Sequence, residues 1–253
     1  MMRFDAIRPV PKPIFGMLHL TGETTAERLE IAESEARTLV ENGVDGVVVE
    51  NYFGDADDVR RVLERLSRKP PGALIGVNVL RNFRLAFDMA KSYPVDFIQI
   101  DSVAGHLPPS EDQDFAAELS EFRKRSRAVL LGGVRFKYQP VLSGRSEVED
   151  LKLGADRSDA VVVTGHATGK PTDLDKVRRF RAALGNSVPL LIGAGLTAAN
   201  APDQLALADG AIVGSTFKDT RIDRGLVLGT HVSELMAVVR AARERAEPPR
   251  GTT

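Results

Sequence analysis

The chain has 253 residues, 43% hydrophobic and 27% charged, with 34 lysines and arginines against 35 aspartates and glutamates and a formal net charge of -1. That composition excludes a collagen, a disordered tail and a disulfide-stapled miniprotein, and the charge balance argues against nucleic acid as a partner. With no cysteine the chain has no disulfide, no thiol nucleophile and no thiolate metal site.

No apolar run approaches the roughly 18–20 residues that a membrane helix needs. The first residues, MMRFDAIRPVPKP, lack the apolar segment of a signal peptide. A cytoplasmic protein with no integral membrane segment is expected; peripheral membrane contact stays open.

In chain order, strands are expected at Ile14–His19, Gly46–Asn51, Leu74–Val79, Asp96–Asp101, Val129–Arg135, Ala160–Thr164, Leu190–Gly193 and Ala211–Ser215. They are nearly continuous in Val, Ile and Leu, as parallel strands buried on both faces are. Helical patterns alternate with them at Thr25–Asn42, Asp57–Ser67, Phe83–Lys91, Asp112–Arg125, Glu147–Leu153, Asp173–Leu184, Ala198–Ala206 and His231–Glu244. Strict alternation means parallel strands with crossover helices, and a length near 250 residues suits a (β/α)8 TIM barrel. One domain spanning 1–253 is expected, with its core at about 13–244 and a frayed tail at 245–253.

Strands two, four, six and eight each begin after an aspartate (Asp45, Asp96, Asp159, Asp209), whereas the odd strands carry a central glycine (Gly16, Gly76, Gly132, Gly193). This suits a barrel whose alternate strands supply alternate interior layers, with the glycines helping to fill the interior. The plainer reading is that Asp followed by Val-Val-Val is simply how parallel strands begin.

Chemistry in such a barrel sits at the C-terminal ends of the strands. Those ends offer His19, Glu50, Asn51, Asn78, Arg81, Gln99, Asp101, Arg135, Lys137, Thr164 and Thr168. Period-two alternation puts Gln99 with Asp101 on one face and Arg135 with Lys137 on another, both pointing into the mouth. His19, Glu50, Asp101 and Lys137 are the candidate catalytic groups. Asn51, Asn78, Arg81, Arg135, Thr164 and Thr168 are candidate substrate contacts. The competing reading is a structural ring of salt bridges that offsets the cost of buried charge.

After strands seven and eight stand Ile192-Gly193-Ala194-Gly195-Leu196-Thr197 and Val213-Gly214-Ser215. Barrels bind phosphate there because glycine lets backbone N–H groups approach an anion and a helix start adds favourable partial charge. Gly193, Gly195, Gly214 and Ser215 are the candidate cradle, with Lys218 offering charge. Gly-x-Gly alone could equally serve only to turn a strand into a helix. The long segments Thr21–Thr24, Gln139–Ser146 and Phe217–Gly229 read either as lids or as plain surface insertions. The four histidines show no His-x-x-x-His or His-x-His spacing. No cofactor or metal is therefore expected; the one alternative is a divalent cation held by Glu50, Asp101 and a ligand phosphate.

Lys12-Pro13-Ile14-Phe15-Gly16-Met17-Leu18-His19-Leu20, Gly43 through Asn51, and Gly76 through Asn82 resemble the BtpA/SgcQ family. Val163 through Gly169, Ile192 through Thr197 and Val213-Gly214-Ser215 extend the match, so the resemblance covers about Pro11 to Lys218. It implies a phosphate-binding (β/α)8 barrel, and the family name implies a role in accumulating photosystem I. By motif position it assigns His19, Glu50, Asn51, Asn78, Arg81, Thr164, Thr168, Gly195 and Ser215 to the site. Against the family pattern, Gly133 and Tyr138 replace an Asp and a His around Lys137, and Asp101 stands where an Asn is commoner.

Two functions follow as expectations. One is an enzyme acting on a phosphorylated small molecule, a sugar phosphate or nucleotide fragment, by lyase, isomerase or glycosidic-bond-cleaving chemistry. Glu50 or Asp101 would serve as base, His19 as partner acid or orienter, and Lys137 with Arg135 as electrostatic stabilisers, an imine at Lys137 being the sharper variant. The other is a non-catalytic barrel that binds a ligand or partner as a biogenesis factor. A homo-oligomer is expected on general grounds.

Overall fold

The computed structural model describes residues 3–246. Eight parallel strands, β1 (Ile14–Leu18), β2 (Gly46–Glu50), β3 (Leu74–Asn78), β4 (Phe97–Ala104), β5 (Val129–Val134), β6 (Ala160–Val163), β7 (Leu190–Ile192) and β8 (Gly210–Val213), pair in chain order. β8 then pairs with β1, Ile14 facing Ala211, and closes a (β/α)8 barrel. The outer ring is α1 (Thr25–Glu41), α2 (Ala56–Arg68), α3 (Phe83–Ser92), α4 (Pro109–Arg125), α5 (Glu147–Arg157), α6 (Leu174–Leu184), α7 (Ala201–Leu207) and α8 (Gly229–Ala246). The expected tail lies mostly in 247–253, outside the described residues. Among the described residues no helix is long and apolar enough to cross a membrane.

Local chemistry sets the helix starts. Thr24 with Glu27, Asp55 with Asp58, and Ser146 with Glu149 form reciprocal capping boxes at α1, α2 and α5. Each supplies partners for N–H groups that the first helical turn leaves unbonded, and such a cap contributes about 1 kcal/mol.

The aspartate repeat has a backbone role at the N-terminal ends of the strands. Asp45 Oδ2 accepts the Ile14 N–H at 2.7 Å, while the Asp45 N–H donates to the Ile14 carbonyl at 3.0 Å. The same two-bond ring joins Asp96 to Ile75, Asp159 to Leu130 and Asp209 to Leu190. Each aspartate thus binds the start of the preceding odd strand, away from the chemistry. Arg243, Arg123 and Arg181 pair with Asp45, Asp159 and Asp209.

The expectation that all four central glycines fill the interior is corrected. A Cβ on Gly76 or Gly193 would meet Phe97 or Val162, inside the barrel. On Gly16 it would meet Leu39 of α1, and on Gly132 it would meet Val103 and Ser158, on the helix side. Period two requires this for Gly16, because its neighbours Phe15 and Met17 point inward. Below the mouth, Phe15, Phe97, Val129 and Leu191 pack with Phe4 and Ile7 of a short 3-10 turn (Arg3–Ile7), filling the lower barrel.

Candidate active site

A cavity of about 510 Å³ opens at the C-terminal ends of the strands. His19, Glu50, Asp101 and Lys137 all line it, although they come from four different strand ends. Glu50 is the last residue of β2 and is 6% exposed. Asp101 lies on β4 within the irregular stretch between Ile100 and Ala104, where the register to β5 shifts; such a shift re-aims a side chain.

Asn78 ends β3 between them. Its Nδ2 donates to Glu50 Oε1 at 2.7 Å and to Asp101 Oδ1 at 3.0 Å. Burial pushes the Glu50 carboxyl up to about 8; the Asp101 charge adds to this, while Lys137 and the Asn78 bond oppose it. Burial also raises Asp101, with Asn78, Lys137 and Gln99 opposing only part of the rise. Both carboxyls are thus raised, and as close neighbours they titrate as a pair.

His19 follows β1, with its Nε2 3.8 Å from Glu50 Oε2. Burial pulls it down to about 3, helped by the positive charge of Lys218. Its Nδ1 lies 3.4 Å from the Asp223 carbonyl. A carbonyl only accepts, so this partner puts the imidazole proton on Nδ1 and leaves the Nε2 lone pair toward Glu50. Tyr52 stacks obliquely on His19 at 4.8 Å and donates to the Asp223 carboxylate at 3.0 Å. The segment after β8 thus reaches back over the mouth.

Arg135 does not accompany Lys137. β5 ends at Val134 and Arg135 adopts a φ of 45°, so strand alternation stops before Lys137. The Arg135 Nε donates to buried Asp150 at 2.8 Å, and the guanidinium also binds the Arg145 carbonyl at 2.6 Å. Its work is to pin the loop that carries Lys137. Thr164 has a similar task. Its Oγ1 accepts the Lys137 N–H at 2.9 Å, and its carbonyl takes Lys176 Nζ at 2.8 Å. Asn51 Oδ1 accepts the Leu80 N–H at 2.7 Å and joins two loops beside the cavity, whereas Arg81 lines it.

Gly193, Gly195, Gly214 and Ser215 line the side opposite β3 and β4. Gly195 has a φ of 67°, and any Cβ there would collide with the Lys170 carbonyl. A Cβ on Gly214 would stand 2.9 Å from His19 Cε1, so the bare backbone keeps the cradle open beside the histidine. Ser215 Oγ and Thr168 Oγ1 are buried without a hydrogen-bond partner, and both residues line the cavity. Two orphaned hydroxyls beside glycine backbone suit an oxyanion.

Two details of the phosphate expectation change. α7 begins only at Ala201, and the single 3-10 turn Ser215–Phe217 flanks the cavity instead. Lys218 is fully buried in an ion pair with Glu35 at 2.6 Å, so it offers no charge to a ligand. Tyr52 and Gly169 also line the cavity without having been singled out, as does Gln99, which was named at its strand end but given no role. Of these, Gln99 was signalled by the face it shares with Asp101. Among the described residues no cluster of three or more His, Asp or Glu is placed to hold a metal ion.

The sequence model of the BtpA family matches residues 10–241, and the chain belongs to that family. An uncharacterized protein of Thermococcus kodakarensis is 32% identical over 86% of this chain and 91% of its own length. The photosystem I biogenesis protein BtpA of Synechocystis is 28% identical, covering 81% of this chain and 80% of its own. Among solved structures, the orotidine 5'-phosphate decarboxylase of Pyrococcus horikoshii superposes with a TM-score of 0.59, covering 90% of this chain and 99% of its own at 16% identity. That likeness is one of fold.

Proposed function

We propose that this BtpA-family barrel is an enzyme that acts on a phosphorylated small molecule by acid–base chemistry at its C-terminal mouth. One observation carries the reading: Glu50 and Asp101, bridged by the buried Asn78, share a cavity with a glycine cradle whose two hydroxyls lack partners. The phosphoryl group binds at Gly195, Gly214 and Ser215, with Gly193 behind them and Thr168 beside them. Glu50, protonated near neutrality, is the general acid, and Asp101 is the base. His19 is held neutral beside Glu50, so it orients the carboxyl and does not act as the acid. The Lys137 ammonium stabilises developing negative charge, as a preorganised cation does in a partly desolvated site. Ordinary electrostatics suffices for it, and no feature of its surroundings calls for an imine.

The biogenesis name of the Synechocystis relative supports a second reading, a barrel that binds a ligand or partner without turnover. The buried carboxyl pair favours catalysis over it, because burying two acids side by side is costly in a surface that only docks.

Thermal-shift screening separates these readings. Ligand that binds only the folded chain stabilises it by RT ln(1 + [L]/Kd). Phosphorylated metabolites should raise Tm, their dephosphorylated counterparts should not, and Gly214→Asp should abolish the response. An equal response to both sets overturns the phosphate site.

A further inference from the structure

A second cavity of about 450 Å³ opens beside the first, between the loops that follow β3 and β4. The two share Arg81, Gln99, Asp101 and Gln139 as lining, so these side chains stand at their junction. Its character differs from that of the phosphate cradle. Phe83, Phe115 and His106 give it an aromatic wall, Phe115 meeting Phe83 edge-on at 5.4 Å and His106 edge-on at 5.1 Å. Glu111 and Asp114 stand at its rim. A second anion is thereby disfavoured.

Two polar atoms there lack partners. Gln99 is 4% exposed, and its Oε1 has no hydrogen-bond donor. His106 Nδ1 is likewise buried and unpaired. A buried amide oxygen without a donor has lost its water and gained nothing in return, a loss that a bound N–H group would recover. In the closed strand order β3 and β4 lie across the barrel from β7 and β8. A ligand with its phosphate on Gly195 and Gly214 and its other end here would pass over Glu50, Asn78 and Asp101.

We propose that this second cavity binds a planar nitrogen heterocycle, the other end of the phosphorylated substrate, so that the substrate class is a phosphosugar bearing a ring base. The ring stacks on the Phe83–Phe115 wall and hydrogen-bonds to Gln99 Oε1 and to His106 Nδ1. This rests on the phosphate reading above and adds the second recognition element.

Titration calorimetry with ribose 5-phosphate and with the 5'-monophosphates of adenosine, guanosine, cytidine and uridine tests it. At least one nucleotide should bind 10-fold or more tightly than ribose 5-phosphate. Phe115→Leu thins the aromatic wall, and His106→Phe keeps the ring contact while removing both nitrogens. Both should cut that advantage to under 3-fold and leave ribose 5-phosphate affinity unchanged. Where a variant loses its fold by circular dichroism, the other carries the test. Equal affinity for all five ligands, with Gly214→Asp abolishing it, overturns the ring site and leaves the phosphate site standing. A nucleotide advantage that neither folded variant reduces places the ring elsewhere and overturns the assignment. Failure of all five to bind overturns the proposed substrate class, while the wider phosphorylated-ligand screen judges the cradle separately.

Discussion

Glu50 and Asp101 are joined through one amide: the Asn78 nitrogen donates 2.7 Å to one carboxyl and 3.0 Å to the other. The bridge fixes both acids and lets one hold a proton beside the charge of its neighbour. Asn78→Leu removes both bonds while keeping volume. It should lower kcat about 100-fold or more on any substrate found, with Tm falling by a few degrees. Unchanged kcat would remove the bridge from the mechanism.

Glu50 should titrate near 8 in carbon-13 carboxyl spectra, against about 4.5 for an unperturbed glutamate. Activity should fall as pH rises through 8, where the acid is lost. The same shift has a stability consequence. The folded state holds a proton that the unfolded state releases, so this group's contribution is complete below pH 4.5 and is lost as pH rises to about 8. Glu50→Gln should flatten that loss and give a higher Tm than the wild type at pH 9. A Glu50 midpoint below 6 contradicts the assignment.

For His19 the sign reverses. Its folded value near 3 lies below the unfolded 6.5, so its contribution is complete above 6.5 and is lost as pH falls toward 3. Nitrogen-15 spectra at pH 7 should show a neutral ring protonated at Nδ1, facing the Asp223 carbonyl. An imidazolium at pH 7 would return His19 to the role of acid.

Lys137→Ala should lower kcat by about 10²- to 10⁴-fold and leave the fold intact, since only the backbone N–H of Lys137 is tied to Thr164. Borohydride with carbonyl substrates should add no mass. A trapped adduct at Lys137 would establish the imine that this account excludes.

Asp150 is fully buried against Arg135 and Ser143. Asp150→Asn strips the charge partner from Arg135 and should cost about 3 kcal/mol, roughly 6–12 °C in Tm. Arg135→Lys should leave ligand affinity within about 3-fold, because Arg135 lies outside the cavity lining. A tenfold loss of affinity with unchanged Tm would return Arg135 to the mouth.

These particulars show what a linear reading reaches. His19, Glu50 and Lys137 were legible because barrel topology alone brings strand ends to one rim. The cradle was legible as Gly-x-Gly and Gly-Ser segments after two strands, whereas the close approach of Lys170 and His19 to it appears only in the folded barrel. Arg135 was misplaced because strand alternation was carried through a residue with φ of 45°, a turn that sequence periodicity does not register. Lys218 was misread because its partner Glu35 lies 183 residues away in the chain, on α1. The aspartate repeat was visible as a pattern, but its reciprocal bonds to neighbouring strands appear only once the barrel closes.

The proposed chemistry depends on an oxyanion bound at the loops after β7 and β8, within the same mouth as the acids. Amide nitrogen-15 spectra during titration with inorganic phosphate test it most directly. Saturable shifts centred on Gly195, Gly214 and Ser215, lost in Gly214→Asp, are predicted. Shifts scattered over surface lysines, or confined to the opposite end of the barrel, would contradict it.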